Sequence, residues 1–111
     1  MAIFSSHLLN STDGSHAKNV EVIINQIDKN GKRKIFLKTK TDKGGRILKE
    51  FILNKNDCKC DYEFVCKTGK FFSKKNIVSE IIIKFKMINP KKKYHLPIII
   101  SPNGYSTWWS K

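Results

Sequence analysis

The sequence predicts an all-β fold, an antiparallel two-sheet β-sandwich with one short helix. Three observations support this prediction. Short segments rich in β-branched residues recur along the chain and alternate between apolar and polar side chains. Turns containing Gly, Asn or Pro separate these segments at fairly regular intervals. The chain has 111 residues, of which 40% are hydrophobic, so we expect one domain over residues 1–111 with a modest core.

The first half of the chain carries three strand-like segments after its N-terminus. Val20 to Ile27 is rich in β-branched residues, and the Asn-Gly pair within Asp28 to Gly31 favours a tight hairpin into Lys32 to Thr41. A polar, glycine-rich turn from Thr41 to Gly45 follows. Ile47 to Leu53 is a short apolar piece that predicts either an edge strand or a loop.

The second half predicts four more strands and the only helical turn. Cys58 to Lys67 is typical of a strand, and Gly69 to Lys75 of a short helical turn. Glu80 to Ile88 is the clearest strand, and Tyr94 to Ser101 and Tyr105 to Trp109 predict the last two. One face of the clearest strand carries a row of apolar side chains that suits a core: Ile81, Ile83, Phe85 and Met87.

The strand from Tyr94 to Ser101 is apolar on both of its faces. One face carries Leu96, Ile98 and Ile100, and the other carries His95, Pro97 and Ile99. In a one-domain sandwich only one face of a sheet is covered by the chain itself, so the second cover must come from a partner subunit. Trp108 and Trp109 would lie on opposite faces of the last strand, which again leaves one indole outside. The pattern therefore predicts self-association.

The strong positive charge does not indicate a nucleic-acid partner. The net charge is +13, but only Arg33 and Arg46 are arginines, and the lysines are scattered through every segment. Proteins that read DNA sequence favour the bidentate fork of arginine. Abundant Lys, Ile and Asn is the composition that an AT-rich genome produces. We therefore expect no nucleic-acid partner, although a basic nucleic-acid-binding domain remains a distant alternative.

Membrane, export and metal signals are also missing from the sequence. No apolar run is long enough to span a bilayer, and Met1 to Asn10 does not resemble a signal peptide. Cys58, Cys60 and Cys66 are odd in number, which favours reduced thiols in the cytoplasm, and their shared parity places them on one face of a continuous strand. Their spacing is not that of a zinc site, so we expect small buried thiols, no metal and no cofactor.

Two histidines and one arginine are the candidates for chemistry. His7 lies in an N-terminal segment that shares a face with Ser5 if it is extended, His95 lies in a strand, and Arg46 ends a turn. An imidazole titrates near neutral pH and suits proton transfer. Each residue alone has an ordinary structural explanation. A lone strand histidine more often bonds to a nearby carbonyl, and a lone turn arginine is more often only solvated. Spacing along the chain cannot show that the three meet.

Three segments in the same order resemble the transthyretin-like family. Lys93 to Thr107 is similar to the family signature His-Tyr-His-Val-Pro-Leu-Leu-Leu-Ser-Pro-x-Gly-Tyr-Ser-Thr. Ser6 to Asn10 resembles its Thr-His-Val-Leu-Asp, and Thr41 to Arg46 resembles its Thr-Asn-x-Asp-Gly-Arg turn. The resemblance implies two four-stranded antiparallel sheets with a short helix after the fifth strand. It also implies a homotetramer, a dimer of dimers with active sites in the channel between dimers.

The resemblance also implies an activity. Transthyretin proper carries hormones and lacks the two histidines and the arginine, whereas the 5-hydroxyisourate hydrolases of the family keep them. His7, Arg46 and His95 occupy all three positions here. We therefore expect hydrolysis of 5-hydroxyisourate to 2-oxo-4-hydroxy-4-carboxy-5-ureidoimidazoline in urate degradation. Either histidine would activate water while the other donates a proton or orients the ring, and Arg46 would hold substrate carbonyls.

The chain departs from the family pattern mainly at its C-terminus. The hydrolases end Tyr-Arg-Gly-Ser, where this chain has Trp108, Trp109, Ser110 and Lys111. Gly44 replaces the usual aspartate of the turn, and His16 stands where the family usually has proline and receives no role. The tail favours an alternative, a catalytically degenerate transthyretin-like protein that binds small molecules.

Overall fold

The computed structural model describes residues 1–73 and 76–111, which form eight strands and two short helical segments. The helical segments are a 3-10 helix at Asp57–Lys59 and α1 at Thr68–Phe72. The strands are β1 Ala2–Asn10, β2 Glu21–Ile27, β3 Arg33–Lys40, β4 Arg46–Phe51, β5 Asp61–Cys66, β6 Ile81–Lys86, β7 Lys93–Ser101 and β8 Gly104–Thr107. None of the described helices has the length and apolar character that crossing a membrane requires.

The strands form two four-stranded sheets, which confirms the predicted all-β sandwich with one short α-helix. The first sheet has the order β4-β1-β7-β8 and the second has the order β3-β2-β5-β6. Five of the six strand pairings between the described strands are antiparallel. The pairing of β1 with β7 is parallel, so the first sheet is mixed where antiparallel strands alone were predicted. We call the sheet with the order β4-β1-β7-β8 the site sheet and the other one the second sheet.

The core lies between the inner faces of the two sheets. Phe4 of β1 packs against Phe64 of β5 with ring centroids 5.0 Å apart, and both side chains are fully buried. Burying such a side chain contributes about 1.5–3 kcal/mol relative to leaving it exposed. On β7 the predicted core face is confirmed, because Leu96, Ile98 and Ile100 are all buried. The face predicted for the Glu80 to Ile88 strand is likewise confirmed, with Ile81 and Met87 buried and Ile83 and Phe85 packed against the core: a regular alternation was sufficient here.

The alternation fails on β3, where a bulge interrupts its pairing with β2. Ile24 pairs with Leu37 but Asn25 pairs with Ile35, so Phe36 has no opposite residue. Phe36 and Leu37 both pack against the core, while Ile35 is 61% exposed. An extra residue in one strand resets which side chains face inward, so Ile35 and Leu37 do not share a face although they are two residues apart.

The cysteine prediction was wrong in two respects, the shared strand and the burial of all three thiols. The predicted strand from Cys58 to Lys67 begins only at Asp61, because Cys58 belongs to the 3-10 helix. The three thiols therefore do not line one continuous strand. Cys66 is buried, and that burial raises the pKa of its thiol, but Cys58 and Cys60 are only half-buried.

The remaining predicted elements differ from the structure only at their ends. The segment predicted over Ile47 to Leu53 is the edge strand β4, Arg46–Phe51, and the turn between β2 and β3 spans five residues instead of a tight pair. The helix begins at Thr68, one residue before the predicted start, and Lys74 and Lys75 lie outside the described residues. β8 ends at Thr107, so Trp108 and Trp109 do not lie on opposite faces of a strand as predicted. Both side chains are about half exposed.

Candidate active site

The central strand β1 separates the core from the candidate site. Its even-numbered residues from Ala2 to Asn10 are buried, and its odd-numbered residues, including Ser5 and His7, lie on the outer face of the site sheet and are only partly covered. Successive side chains of a strand point to opposite faces, so β1 contributes apolar and small groups to the core and polar groups to the outside. The outer face carries both of its potentially reactive residues.

Arg46 lies directly beside His7. The two residues are partners in the antiparallel pairing of β4 with β1, and partners in such a pairing point to the same face. Their Cβ atoms are then about 4.5–5.5 Å apart by the geometry of antiparallel sheets. Arg46 is the first residue of β4, and it is exposed. The register therefore brings together two of the three sequence-predicted site residues.

The turn before Arg46 is held tightly against β1. The carboxylate of Asp42 accepts hydrogen bonds from the backbone N–H groups of Gly44 and Arg46, each at 2.9 Å. Gly45 has φ +70° and its carbonyl accepts the N–H of Leu8 at 2.8 Å. A Cβ at Gly45 would lie 2.5 Å from the carbonyl oxygen of Leu8, which leaves no room for any other residue. These contacts fix Arg46 relative to His7.

His95 joins the same face from the other side of β1. It pairs with Ser5 in the parallel register of β7 with β1, and its Nδ1 lies 2.8 Å from the Ser5 hydroxyl oxygen. Ser5 is two residues from His7, a separation of about 7 Å along a strand. The site sheet thus presents Arg46, His7 and His95 from three adjacent strands on one outer face. Sequence reasoning gave Ser5 no role, although its shared parity with His7 was visible.

His16 is a residue that the sequence reasoning passed over. Its Nδ1 lies 2.9 Å from Nε2 of His7, and the two rings stack with centroids 5.0 Å apart. A bridge between His16 and Leu9, and a hydrogen bond from the Ala17 N–H to the Leu8 carbonyl, hold its loop against β1. Only the histidine in place of the usual proline signalled this contact in the sequence.

The environment of His7 lowers its pKa below the ordinary value of 6.5. Partial burial is the largest cause, followed by the positive charge of Arg46 and by His16, with a smaller effect of His95. The backbone of Gly44 acts in the opposite direction. His7 is therefore neutral at neutral pH, which is the state that a general base requires.

The divergent C-terminal tail borders the site at His95. The N–H of Ser110 donates to the carbonyl of His95 at 3.0 Å, and the two residues form an isolated antiparallel bridge, which places their side chains on the same face. Trp109 turns the other way and stacks on Tyr94, with ring centroids 6.2 Å apart and the Lys111 ammonium 5.0 Å from the indole centroid. The tail therefore brings a serine hydroxyl to the His95 end.

The site is an open face within one chain. A groove of about 710 Å³ runs beside β6 and the Trp109–Tyr94 stack, but none of His7, Arg46 and His95 lines it. Within residues 1–73 and 76–111, no group of three or more His, Cys, Asp or Glu is arranged to hold a metal ion. The chemistry that this face offers is proton transfer by imidazole and anion stabilisation by guanidinium.

Comparison with known proteins adds a family to this geometry. The model of the HIUase/Transthyretin family matches residues 4–109. The 5-hydroxyisourate hydrolase of Salmonella dublin is 34% identical over 109 residues, covering 96% of this chain and 79% of that protein.

Two solved structures share the fold. The 5-hydroxyisourate hydrolase of Klebsiella pneumoniae superimposes with a TM-score of 0.81 at 23% identity and full coverage of both chains. The transthyretin of Sparus aurata gives 0.82 at 19% identity, covering 96% of this chain and 95% of that one. The sandwich, the match along nearly the whole chain and the 34% identical relative lead to one conclusion: the chain belongs to the HIUase/Transthyretin family.

Proposed function

We propose that this protein hydrolyses 5-hydroxyisourate to 2-oxo-4-hydroxy-4-carboxy-5-ureidoimidazoline, as an enzyme of urate degradation. The observation that carries the proposal is the placement of His7, Arg46 and His95 on one outer face of the site sheet. The 34% identical relative is named for this activity. Urate degradation is a step of purine catabolism, and the reaction needs no cofactor.

His7 is the general base of the proposed mechanism. It is neutral at neutral pH because burial and Arg46 lower its pKa, so it can take a proton from water. The hydroxide so formed adds to an amide carbonyl carbon of the six-membered ring. The ring C–N bond then breaks, and the departing nitrogen receives a proton while the carbon becomes a carboxylate. One water is consumed, and no electron is gained or lost.

Arg46 and His95 deal with the charge and the orientation of the substrate. The Arg46 guanidinium presents a planar set of donors that can bind carbonyl oxygens and stabilise the oxyanion formed during attack. The Ser5 hydroxyl orients His95, which donates to the ring or to the departing nitrogen. Ser110, on the same face as His95, supplies the hydroxyl that the family provides from its terminal serine.

A homotetramer would complete the site. The outer face of the site sheet is open in one chain and carries apolar groups, including Ile99 at 36% exposure and Leu48 at 68%. A second copy packed over this face would exclude water and turn it into a channel between dimers. We therefore place the active sites between subunits, in a protein of the cytoplasm whose ligand is a small molecule.

A direct assay tests the function. Freshly prepared 5-hydroxyisourate decays spontaneously, and its near-ultraviolet absorbance reports that decay. We expect micromolar protein to accelerate the decay, and we expect Arg46→Ala to lose most of the acceleration. Lys49→Ala is the matched control, because it removes an exposed cation from the same strand outside the site. Decay at the spontaneous rate with wild-type protein would favour the alternative, a degenerate relative that binds small molecules.

A further inference from the structure

The proposed mechanism uses His7 as its general base but gives no part to the contact between His7 and His16. The two facing nitrogens, Nε2 of His7 and Nδ1 of His16, are 2.9 Å apart, which is within the ordinary range for a hydrogen bond. A neutral imidazole has one N–H donor and one acceptor nitrogen. The hydrogen bond therefore requires that one of these two nitrogens carries a proton and the other does not, which links the tautomers of the rings.

The position of His16 is built into the fold. Its backbone bridges to Leu9 of β1, and the N–H of Ala17 donates to the Leu8 carbonyl at 2.9 Å. Thr41 is buried on the far side of this loop and donates its hydroxyl to the Ala17 carbonyl at 2.6 Å. The loop is thus fastened both to the strand that carries His7 and to the turn that leads to Arg46. His16 is held beside His7 by backbone contacts on both of its sides.

We propose that His16 is a positioning residue for His7. By holding Nε2 of His7, it fixes the orientation and the tautomer of that ring. This role deepens the proposed function, and the inference rests on that function only for its activity readout. The other groups that act on His7 are Arg46 from β4, His95 from β7 and the backbone of Gly44.

Two substitutions separate the hydrogen bond from the imidazole itself. His16→Ala removes the partner of Nε2, whereas His16→Asn places an amide close to where Nδ1 lies and does not titrate. Lys18→Ala is the matched control, because it changes an exposed side chain of the same loop that has no partner among the hydrogen bonds and salt bridges of the described residues. Nitrogen-15 NMR of the imidazoles distinguishes the tautomers of His7 in the resting protein, without substrate.

We expect a single tautomer of His7 in the wild type, in His16→Asn and in Lys18→Ala, and a mixture in His16→Ala. We expect kcat/KM to fall about ten-fold in His16→Ala, the factor of one neutral hydrogen bond, and to recover in His16→Asn. A mixture in the wild type, or an unchanged single tautomer in His16→Ala, would overturn the inference. A single tautomer in a protein without hydrolysis would instead refute the proposed function and leave the positioning role standing.

Discussion

The two ends of the candidate site are built differently. At one end, His7 and Arg46 face each other across β1 and β4, and the Asp42–Gly45 turn and the His16 loop fasten both residues through backbone hydrogen bonds. At the other end, His95 depends on one hydroxyl of Ser5 and on the C-terminal tail, which differs from the family pattern. Regular backbone contacts hold the first end in place. The second differs in sequence from the family pattern, and one backbone bridge between His95 and Ser110 sets its geometry.

The largest loss of activity should come from a substitution at the His95 end, which has fewer supporting contacts. His95→Ala removes the imidazole opposite Ser5 and should lower kcat/KM by about 10²–10⁴, the usual contribution of a general acid or base. Steady-state hydrolysis of 5-hydroxyisourate measures this. Lys93→Ala, which shortens an exposed side chain at the start of β7, serves as the control and should retain activity. Turnover of His95→Ala at the wild-type rate would remove His95 from the site.

At the His7–Arg46 end, a substitution in the turn before Arg46 should lower the free energy of unfolding. Gly45→Ala places a Cβ 2.5 Å from the Leu8 carbonyl oxygen at φ +70°, so it should cost more than the 1–2 kcal/mol or so of the left-handed conformation alone. Gly31→Ala is the matched control, because Gly31 has φ +81° with open space around it. Denaturant unfolding compares the two. Equal losses of unfolding free energy would show that the close approach to Leu8 does not matter.

The C-terminal tail should contribute less to activity, through the hydroxyl of Ser110. Ser110→Ala should lower kcat/KM about ten-fold, as expected for one hydrogen bond beside His95, and should leave the fold unchanged. Ser106→Ala removes a hydroxyl from the same C-terminal region opposite Ile99 and should have no such effect. If both variants retain full activity, the tail serine does not replace the serine that ends the family pattern.

The smallest expected effect is a shift in a titration. Because Arg46 lowers the pKa of His7, replacing it with glutamine should raise that pKa towards 6.5. A base must be neutral, so wild-type kcat/KM should fall as the pH drops through a midpoint below 6.5. NMR titration of His7 in the resting Arg46→Gln variant measures the shift. A downward shift would contradict the placement of Arg46 beside His7.

Much of the fold followed from alternation in the sequence. The core faces of β6 and β7 were predictable because every second residue is apolar. The resemblance singled out His7, Arg46 and His95 as candidates, and their shared face became visible only in the structure. The bulge at Phe36 and the helical turn at Cys58 were not, because an inserted residue or a short turn shifts the alternation without a distinct signal.

Which residues become neighbours across the strands was not predictable from the sequence, for another reason. His7 and Arg46 are 39 positions apart, and only the register of β1 with β4 makes them neighbours. His16 was missed because its contact with His7 depends on how a polar loop returns to β1. Loop paths of this kind are determined by tertiary hydrogen bonds, such as that from Thr41 to Ala17, which local patterns do not encode.

The central claim is that residues from three strands act as one catalytic site, and a double-mutant cycle on His7 and His95 tests it most directly. Rates of 5-hydroxyisourate hydrolysis are measured for the wild type, His7→Ala, His95→Ala and the double variant. Residues that act as a unit give non-additive losses, so we predict that the double variant is about as slow as the slower single variant. Losses that multiply in full would mean that the two histidines act independently and would contradict the account.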